Sequence, residues 1–415
     1  MNVLKHKVLV VGGGAAGMLA AGMAAQSGAR VILFEKNDRL GKKLAITGKG
    51  RCNVTNNCAP DEVQKNIPRN GRFLYSALST FSPEDAKRFF ESHGCALKVE
   101  RGNRVFPESD RSASVISALQ NFLHLQNVEV RRECVRSLVL RDGEIAGIET
   151  DKGICYGRCV ILCTGGCSYP LTGSTGDGYR MAEKVGHSIQ PIRGSLVPLE
   201  ESGDDCARLQ GLSLRNVSVK LVNGKGKTVF EDFGELLFTH FGLSGPTILS
   251  ASAHMKAGDE YRIRIDLKPA LDEGKLDQRI LRDFEMYQNR TIENALQDLY
   301  PKSLIPVVIE RAGIPFDTKA NSVTKQQRRM LLEITKSFEV PIKGTRPVEE
   351  AIITAGGVKL KEVDPKTMES KLVPGLFFAG EILDLDAYTG GFNLQIAWST
   401  AYAAGIAAGS RSDFE

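Results

Sequence analysis

Hydrophobic positions at the start of the chain follow first a strand pattern and then a helix pattern. The β-branched run Lys7 to Val11 (KVLVV) predicts a buried strand, and the alanine-rich segment Ala15 to Ser27 predicts a helix that ends at Gly28. A second apolar run, Arg30 to Phe34 (RVILF), predicts a parallel strand beside the first. Strand, helix and strand in this order indicate a βαβ unit, so we expect an α/β fold.

Hydrophobic positions farther along the chain predict short strands and a long middle region. Val128 to Leu140 alternates and turns near Asp-Gly-Glu, which predicts a hairpin, and Cys159 to Cys163 (CVILC) predicts a buried strand. Val217 to Phe230 and Tyr261 to Leu267 alternate like antiparallel strands, whereas Pro269 to Phe338 has a helical pattern. The middle of the chain therefore combines β-structure with helices.

The first βαβ unit carries a dinucleotide-binding motif. Gly12, Gly14 and Gly17 have G-x-G-x-x-G spacing directly after the first strand, and Glu35 ends the second strand. Gly12 permits the tight turn, Gly14 lets the backbone approach a pyrophosphate, and Gly17 lets helix and strand pack closely. The pyrophosphate binds at the helix N-terminus and Glu35 accepts hydrogen bonds from the ribose hydroxyls. These features predict a bound NAD or FAD.

The far end of the chain favours FAD over NAD. Leu376 to Glu381 (LFFAGE) predicts a strand, and Leu394 to Ala408 predicts a helix preceded by a glycine pair. A simple NAD domain has no need of such a distant partner, whereas FAD is longer and needs a second cradle for its ribityl chain and flavin. The residues predicted for this cradle are Gly380, Glu381, Gly391, Phe392 and Asn393.

A third glycine turn follows the strand Cys159 to Cys163. Thr164 and Gly165 belong to this turn and are included among the predicted cofactor contacts. Asp177 stands where the next helix is expected to begin and is predicted to cap it. The strand within Val128 to Leu140 is of the kind that presents its backbone to adenine.

The loop ITGKGRCNVTN, residues 46–56, combines many polar side chains with one thiol. A Walker A loop is rejected because the first glycine of that motif is replaced by Lys43, and a redox pair is not indicated because five residues separate Cys52 from Cys58. A loop that wraps FAD fits best, because it follows the ribose-binding strand and its glycines let the backbone approach the flavin. Its predicted contacts are Cys52 and Asn53 near the isoalloxazine, Thr47 and Lys42 or Lys49 near the phosphates, and the loop glycine Gly48.

Composition limits the class of protein. The chain has 415 residues, of which 42% are hydrophobic and 25% charged, and a formal net charge of +5. That charge is too small to indicate nucleic acid or a membrane, and no run approaches the roughly 18 apolar residues of a membrane span. The N-terminus lacks a signal-peptide pattern, and nine cysteines without a repeating framework suit a reducing compartment. We therefore expect a cytoplasmic protein.

A cysteine ladder raises the question of a metal site. Cys155, Cys159, Cys163 and Cys167 recur every four residues. Because Arg158 to Thr164 predicts a strand, four residues span about 13 Å, whereas zinc ligands lie about 2.3 Å from the ion. No metal is expected.

Several motifs together resemble the BaiN/YhiN-like bacterial flavoproteins. These are GGGAAG, GKKLAITGKGRCNVTN, TGGCSYPLTGSTGDGYRMA and GLFFAGEILDLDAYTGGFNLQIAWSTAYAAG, and the resemblance covers essentially the whole chain. It implies a glutathione-reductase-like FAD domain of Rossmann type, formed by residues 1–190 and 346–415 and interrupted by a barrel and helical domain at 191–345. It also implies non-covalent FAD held by Gly12, Gly14, Ala15, Ala16, Glu35, Lys36, the backbone of Val135, Glu381, Phe392 and Asn393.

Family members with an assigned activity reduce enone bonds of 3-dehydro-bile acids, and others are described as aminoacetone oxidases. The resemblance therefore implies that NAD(P)H reduces the flavin, which then reduces a double bond conjugated to a ketone in a small-molecule substrate. The alternatives are an amine oxidase that uses oxygen, and a flavin-dependent RNA-modifying or non-catalytic protein. The basic segment KQQRRMLLEITK predicts a solvated helix face, so a nucleic-acid partner is not expected. Candidate proton donors are His240, Tyr388 and Tyr169, and Cys52 is a candidate for a redox role.

Overall fold

The computed structural model describes residues 7–256 and 258–411 of the chain. The first six residues, which begin the stretch analysed above for a signal peptide, lie outside the described residues. The chain divides into two compact units, one comprising residues up to Ser195 and from Val348 onwards, the other Leu196–Pro347. Each unit has its own hydrophobic core.

The first unit begins with a βαβ unit and continues through short strands and helices. Its elements up to Ser195 are β1 (Lys7–Val11), α1 (Ala15–Gln26), β2 (Arg30–Phe34), β3 (Thr55–Asn56), α2 (Pro60–Lys65), α3 (Tyr75–Thr80), α4 (Pro83–Ser92), β4 (Leu97–Glu100), β5 (Arg104–Pro107), α5 (Ser112–Leu125), β6 (Glu129–Arg131), β7 (Val135–Arg141), β8 (Glu144–Thr150), β9 (Gly153–Tyr156), β10 (Cys159–Leu162), α6 (Asp177–Lys184) and β11 (Ile189–Ser195).

The second unit is followed by the C-terminal return to the first. The second unit contains β12 (Leu199–Glu201), α7 (Asp205–Arg208), β13 (Ser213–Asn223), β14 (Thr228–Thr239), β15 (Gly242–Ser244), α8 (Pro246–Ser252), β16 (Tyr261–Asp266), α9 (Glu273–Met286), α10 (Ile292–Ala295), α11 (Ile305–Arg311), α12 (Lys325–Lys336) and β17 (Phe338–Thr345). The return to the first unit adds β18 (Ile353–Val358), β19 (Leu376–Phe378) and α13 (Phe392–Gly409).

A five-stranded parallel sheet forms the centre of the first unit. Its strand order is β19-β10-β1-β2-β6, so strands from both ends of the chain meet in one sheet. The strands β1, β10 and β19 are almost fully buried, as expected for a sheet covered on both faces. The prediction of a Rossmann-type α/β domain is confirmed.

The predicted hairpin Val128 to Leu140 is wrong in one respect. The structure divides this segment into β6, which pairs with β2 at the edge of the parallel sheet, and β7, which begins a three-stranded antiparallel sheet with β8 and β9. Alternation alone could not separate two strands joined by only three residues.

The second unit contains a closed six-stranded barrel with the order β12-β15-β14-β13-β16-β17. The turn predicted near Asn223 lies between β13 and β14, and the predicted helical stretch contains α9 to α12. The fold class of a split FAD-type domain with an inserted barrel and helices is thus confirmed. In the described part of the chain, no helix has the length and apolar content that crossing a bilayer requires.

Helices α1 and α13 pack closely through small residues. A Cβ on Gly405 would lie 2.6 Å from the backbone oxygen of Ala20, and one on Gly409 would lie 2.5 Å from that of Ala24. Because residue numbers rise together along both helices, the helices run in the same direction. Their N-termini therefore point toward the same end of the sheet.

We predict that Gly405→Ala destabilises the protein. The added methyl would collide with backbone that cannot move aside, which costs about 1–3 kcal/mol in the free energy of unfolding. Gly274→Ala in α9 is the matched control, since the nearest atom to its Cβ is 3.5 Å away, and it should be neutral or stabilising by up to about 1 kcal/mol. Denaturant unfolding followed by circular dichroism measures both. Equal stability of the two variants would contradict the helix contact.

Candidate functional site

A cavity of about 1340 Å³ lies in the first unit at the carboxyl ends of the parallel strands. Open α/β sheets bind ligands in this position. This volume includes open solvent at the mouth, and the lining residues come from both ends of the chain, from Val11 to Ala397. The segments that line it include the glycine turn before α1, the end of β2, the turn after β10, and the start of α13.

The glycine turn has the geometry that a pyrophosphate requires. Gly12 has φ of +104°, and a Cβ there would lie 2.4 Å from the backbone oxygen of Cys163. A Cβ on Gly17 would lie 1.7 Å from the Gly12 oxygen, so close packing of turn and helix also requires glycine. At Gly14 a Cβ would meet no protein atom within 4 Å, because this position faces the cavity. The N–H groups of the first turn of α1 are thus available to an anion.

Glu35 fixes the turn and keeps capacity for a ligand. Its Oε2 accepts the Gly13 backbone N–H at 2.7 Å, and its Oε1 accepts the backbone N–H and side-chain Nδ2 of Asn37, each at 2.7 Å. A carboxylate accepts about four hydrogen bonds, so one more donor, such as a ribose hydroxyl, can be accommodated. The side chain is almost fully buried and lines the cavity.

Lys36 and Asp177 form a charged pair at the cavity wall. The Lys36 ammonium contacts the Asp177 carboxylate and donates to Thr175 Oγ1 at 2.7 Å. Burial of Asp177 acts to raise the pKa of its carboxyl, but hydrogen bonds from Lys36 and Thr175 outweigh it and the pKa lies below its usual value. Asp177 begins α6, but Gly176 occupies the cap position and the carboxylate makes no capping bond, so the predicted cap is wrong.

Glu381 lies at the centre of a polar cluster that the sequence did not predict. Its Oε2 is 2.6 Å from Lys43 Nζ, and its Oε1 accepts the Thr354 backbone N–H at 2.8 Å and Ser168 Oγ at 3.0 Å. Lys43 also donates to Ser168 Oγ at 2.7 Å. The loop after β2 contains Lys42, Lys43 and Lys49. Because this loop is irregular, no periodic pattern in the sequence indicates which lysine bonds Glu381.

The start of α13 forms part of the cavity wall. Gly391 precedes the helix with φ of +100°, and a Cβ there would lie 2.4 Å from the Thr55 oxygen. The Asn393 side chain accepts the Ala387 N–H at 2.9 Å and donates to the Ala387 oxygen at 2.8 Å, which fixes the loop before the helix. Glycine has no side chain with which to cap the first N–H groups of α13.

The loop that contains Cys52 packs behind the cavity. Cys52 has φ of +62° and no exposed surface, and burial raises the pKa of its thiol to about 12 despite an opposing hydrogen bond with Thr47. A thiol in this state is protonated near neutral pH and suits packing. The neighbouring Asn53 Oδ1 is buried without a hydrogen-bond partner in the described part of the chain.

The structure gathers most of the predicted contacts in one place. Those that line the cavity are Gly12, Gly14, Ala15, Ala16, Glu35, Lys36, Lys42, Thr47, Val135, Thr164, Gly165, Gly380, Glu381 and Asn393. Six others are not part of the lining: Gly17, Gly48, Cys52, Asn53, Gly391 and Phe392. Their roles toward a bound cofactor stay predictions.

The candidate proton donors lie in different environments. Tyr388 is half-exposed in the loop before α13, and Tyr169 is 37% exposed with φ of +52°. His240 is exposed in the second unit, where its ring contacts Phe241 edge-on. None of the three is among the residues that line the cavity, so each stays a prediction.

Comparisons with known proteins assign the chain to a family. Residues 6–407 match the family model described as the HI0933-like protein Rossmann domain. The chain is 31% identical over 413 residues to 3-dehydro-bile acid delta(4,6)-reductase of Clostridium scindens, with 98% of this chain and 100% of that protein covered. It is also 31% identical over 402 residues to ribosomal RNA dihydrouridine synthase of Escherichia coli, with 96% and 97% covered.

The solved structure of 3-ketosteroid delta1-dehydrogenase from Sterolibacterium denitrificans shares the fold. It has a TM-score of 0.52 and 14% identity, and the match covers 98% of this chain and 100% of that one. The fold, the cavity and the relatives together define an FAD-dependent oxidoreductase, as the sequence predicted. Within that class, the chain belongs to the HI0933-like family, and the predicted resemblance is confirmed.

The residues present fit FAD on structural grounds. Gly14 leaves open space at the N-terminus of α1, where a pyrophosphate binds. Thr164 in the turn after β10 also lines the cavity, and its Oγ1 is buried without a hydrogen-bond partner in the described residues. The open space at Gly14 is thus available to a ligand rather than filled by protein.

We predict that Gly14→Ala keeps the fold but weakens FAD binding. Gly14 has φ of −82°, which alanine adopts without strain, and its Cβ would meet no protein atom, so stability of the apoprotein should change by less than about 0.5 kcal/mol. The methyl would instead occupy the space of the pyrophosphate and raise the FAD dissociation constant at least about tenfold, or about 1.4 kcal/mol. Flavin fluorescence titration of the apoprotein measures this.

The matched control is Gly344→Ala, whose Cβ also meets no atom within 4 Å but lies in β17 of the second unit. It should bind FAD like the unmodified protein. Unchanged FAD affinity in Gly14→Ala would show that the cofactor does not approach α1.

We predict that Cys52 resists alkylation in the native protein. With a pKa of about 12, only about one thiol in ten thousand is ionised at pH 8, and the side chain is buried. Half-exposed Cys134 provides the internal comparison and should be alkylated first, as mapped by peptide mass spectrometry. Fast labelling of Cys52 at neutral pH would instead support its redox role.

Proposed function

We propose that the protein uses FAD to reduce a carbon–carbon double bond conjugated to a carbonyl group, with NAD(P)H as the electron donor. The observation that carries the proposal is the single cavity that runs from the glycine turn of α1 to the start of α13. Such a cavity suits an extended flavin dinucleotide whose pyrophosphate lies at the N-terminus of α1 and whose flavin half extends toward the start of α13.

The two relatives with equal identity support a common chemistry. One is named for a reaction at the delta(4,6) double bonds of a 3-dehydro-bile acid, and the other for the formation of dihydrouridine in ribosomal RNA. Both substrates contain a double bond conjugated to a carbonyl, the bile acid as an enone and uracil through its C4 carbonyl. In each, hydride addition at the β-carbon places negative charge on the carbonyl oxygen, and a proton then adds at the α-carbon.

The protein contributes position and charge to this reaction. Bound FAD supplies the hydride after reduction by NAD(P)H. The N–H groups at the start of α13 are oriented to stabilise negative charge near them. Tyr388, four residues before Phe392, is the proton donor we favour, because the loop that carries it also supplies the cavity residue Leu385.

A uracil base in RNA is the second candidate substrate. Two proteins named ribosomal RNA dihydrouridine synthase match nearly the whole chain, at 31% and 29% identity. The sequence alone favoured a small molecule because the net charge is modest and the basic helix has the pattern of a solvated face. Because of these relatives, the experiment must distinguish an RNA substrate from a small-molecule substrate.

The experiment is anaerobic stopped-flow spectroscopy of the flavin at 450 nm. We expect NADH or NADPH to bleach the flavin, and an enone steroid or a uridine-containing RNA to restore the colour. Recovery with the steroid alone supports a small-molecule reductase, and recovery with RNA alone supports the uracil substrate. If aminoacetone bleaches the flavin and neither NADH nor NADPH does, the proposal is contradicted and the amine oxidase is supported.

A further inference from the structure

A second concave surface lies on the first unit, between the α2 region and the segment that joins β18 to β19. It is an open groove rather than an enclosed cavity. One wall comes from residues 61–73 and the other from residues 360–371. The charged and aromatic residues of its lining are Asp61, Lys65, Arg72, Phe73, Lys361 and Lys371.

The groove is positively charged. Four basic residues line it, all exposed, against the single acidic residue Asp61. Lys65 is partly neutralised by Glu62 at 3.0 Å and Asp61 at 3.4 Å. Among the described residues, no carboxylate lies within 4.0 Å of the charged groups of Arg72 or Lys361. These two cations are therefore available to an anionic partner.

The groove also contains an aromatic residue. Phe73 lines it, follows Arg72 in the chain and is half-buried, since it also packs against the core of the first unit. Proteins that bind single-stranded nucleic acid combine a basic groove, which follows the phosphates, with aromatic side chains on which bases stack. A free phosphate or a small acid would need the cations but not the ring.

A thin layer separates the groove from the FAD cavity. The backbone oxygen of Asn66 accepts the Tyr388 backbone N–H at 3.0 Å, and the Arg69 guanidinium forms an ion pair with the Asp386 carboxylate at 2.8 Å. In the same two segments, Ile67 lines the groove and Leu385 lines the cavity. A strand of nucleic acid bound in the groove would thus lie beside the candidate catalytic site.

We propose that this groove binds the sugar–phosphate backbone of a single-stranded RNA substrate. The inference rests on the RNA alternative of the proposed function. Arg72 and Lys361 each contact a phosphate, and Phe73 stacks on a base. The groove positions the strand, while the FAD cavity receives the base that reacts.

The test is binding of a fluorescein-labelled, uridine-rich 20-nucleotide RNA to the FAD-loaded protein, followed by fluorescence anisotropy between about 50 and 300 mM salt. The double variant Arg72→Gln/Lys361→Gln should bind about tenfold more weakly at 100 mM salt. Its plot of log affinity against log salt should be shallower by about 1.4, for two phosphates at about 0.7 each.

The matched control is Arg141→Gln/Lys184→Gln, which removes the same charges from exposed positions on β7 and α6. It should keep the unmodified affinity and salt slope. Flavin absorbance and the melting temperature establish that both double variants remain folded.

Equal RNA affinity and slope in the two double variants would overturn the groove assignment, as would no RNA binding by the unmodified protein. Binding to phosphatidylserine vesicles but not to RNA would also overturn it and indicate a lipid surface. The proposed function can fail while the groove assignment holds. In that case neither the enone steroid nor the uridine-containing RNA reoxidises the NAD(P)H-reduced flavin, but Arg72→Gln/Lys361→Gln still loses RNA affinity.

Discussion

The contact between α1 and α13 is the constraint on which the rest of the first unit depends. Gly405 and Gly409 bring the two backbones together at Ala20 and Ala24, and no larger residue would fit at these distances. Residues almost 400 positions apart in the chain are thereby held in one rigid pair. The packing also makes the helices parallel, so both positive ends face the same cavity.

The register of this contact sets how far apart the two helix N-termini lie along the helix axis. Because Gly405 lies opposite Ala20, the first residue of α13 extends about eight residues beyond the first residue of α1. At 1.5 Å per residue this is about 12 Å. Two anion-binding termini at that spacing suit two points along one extended dinucleotide better than two contacts to one phosphate. Glu35 and the cluster of Lys43 with Glu381 line the same cavity.

The sequence predicted the parts of this arrangement that depend on local pattern. The strand, glycine turn and helix at Gly12 to Gly17 lie where periodicity and motif spacing placed them, as does the C-terminal helix within one or two residues. The predicted strand Leu376 to Glu381 is shorter in the structure, where it ends at Phe378 and Glu381 follows it. Features that depend on tertiary contacts were not predictable. Lys43 was passed over in favour of Lys42 because an irregular loop has no period, and Asp177 was assigned to a cap rather than to Lys36. The charged groove arises from two segments about 290 residues apart, and neither is unusual alone.

The central claim is that both ends of the chain hold one and the same FAD. Hydrogen–deuterium exchange during titration of the apoprotein with FAD tests it most directly. We expect amides of residues 12–18 and of residues 391–397 to become protected together and to reach saturation at one FAD per chain. Protection limited to residues 12–18, with the start of α13 exchanging as in the apoprotein, would contradict it.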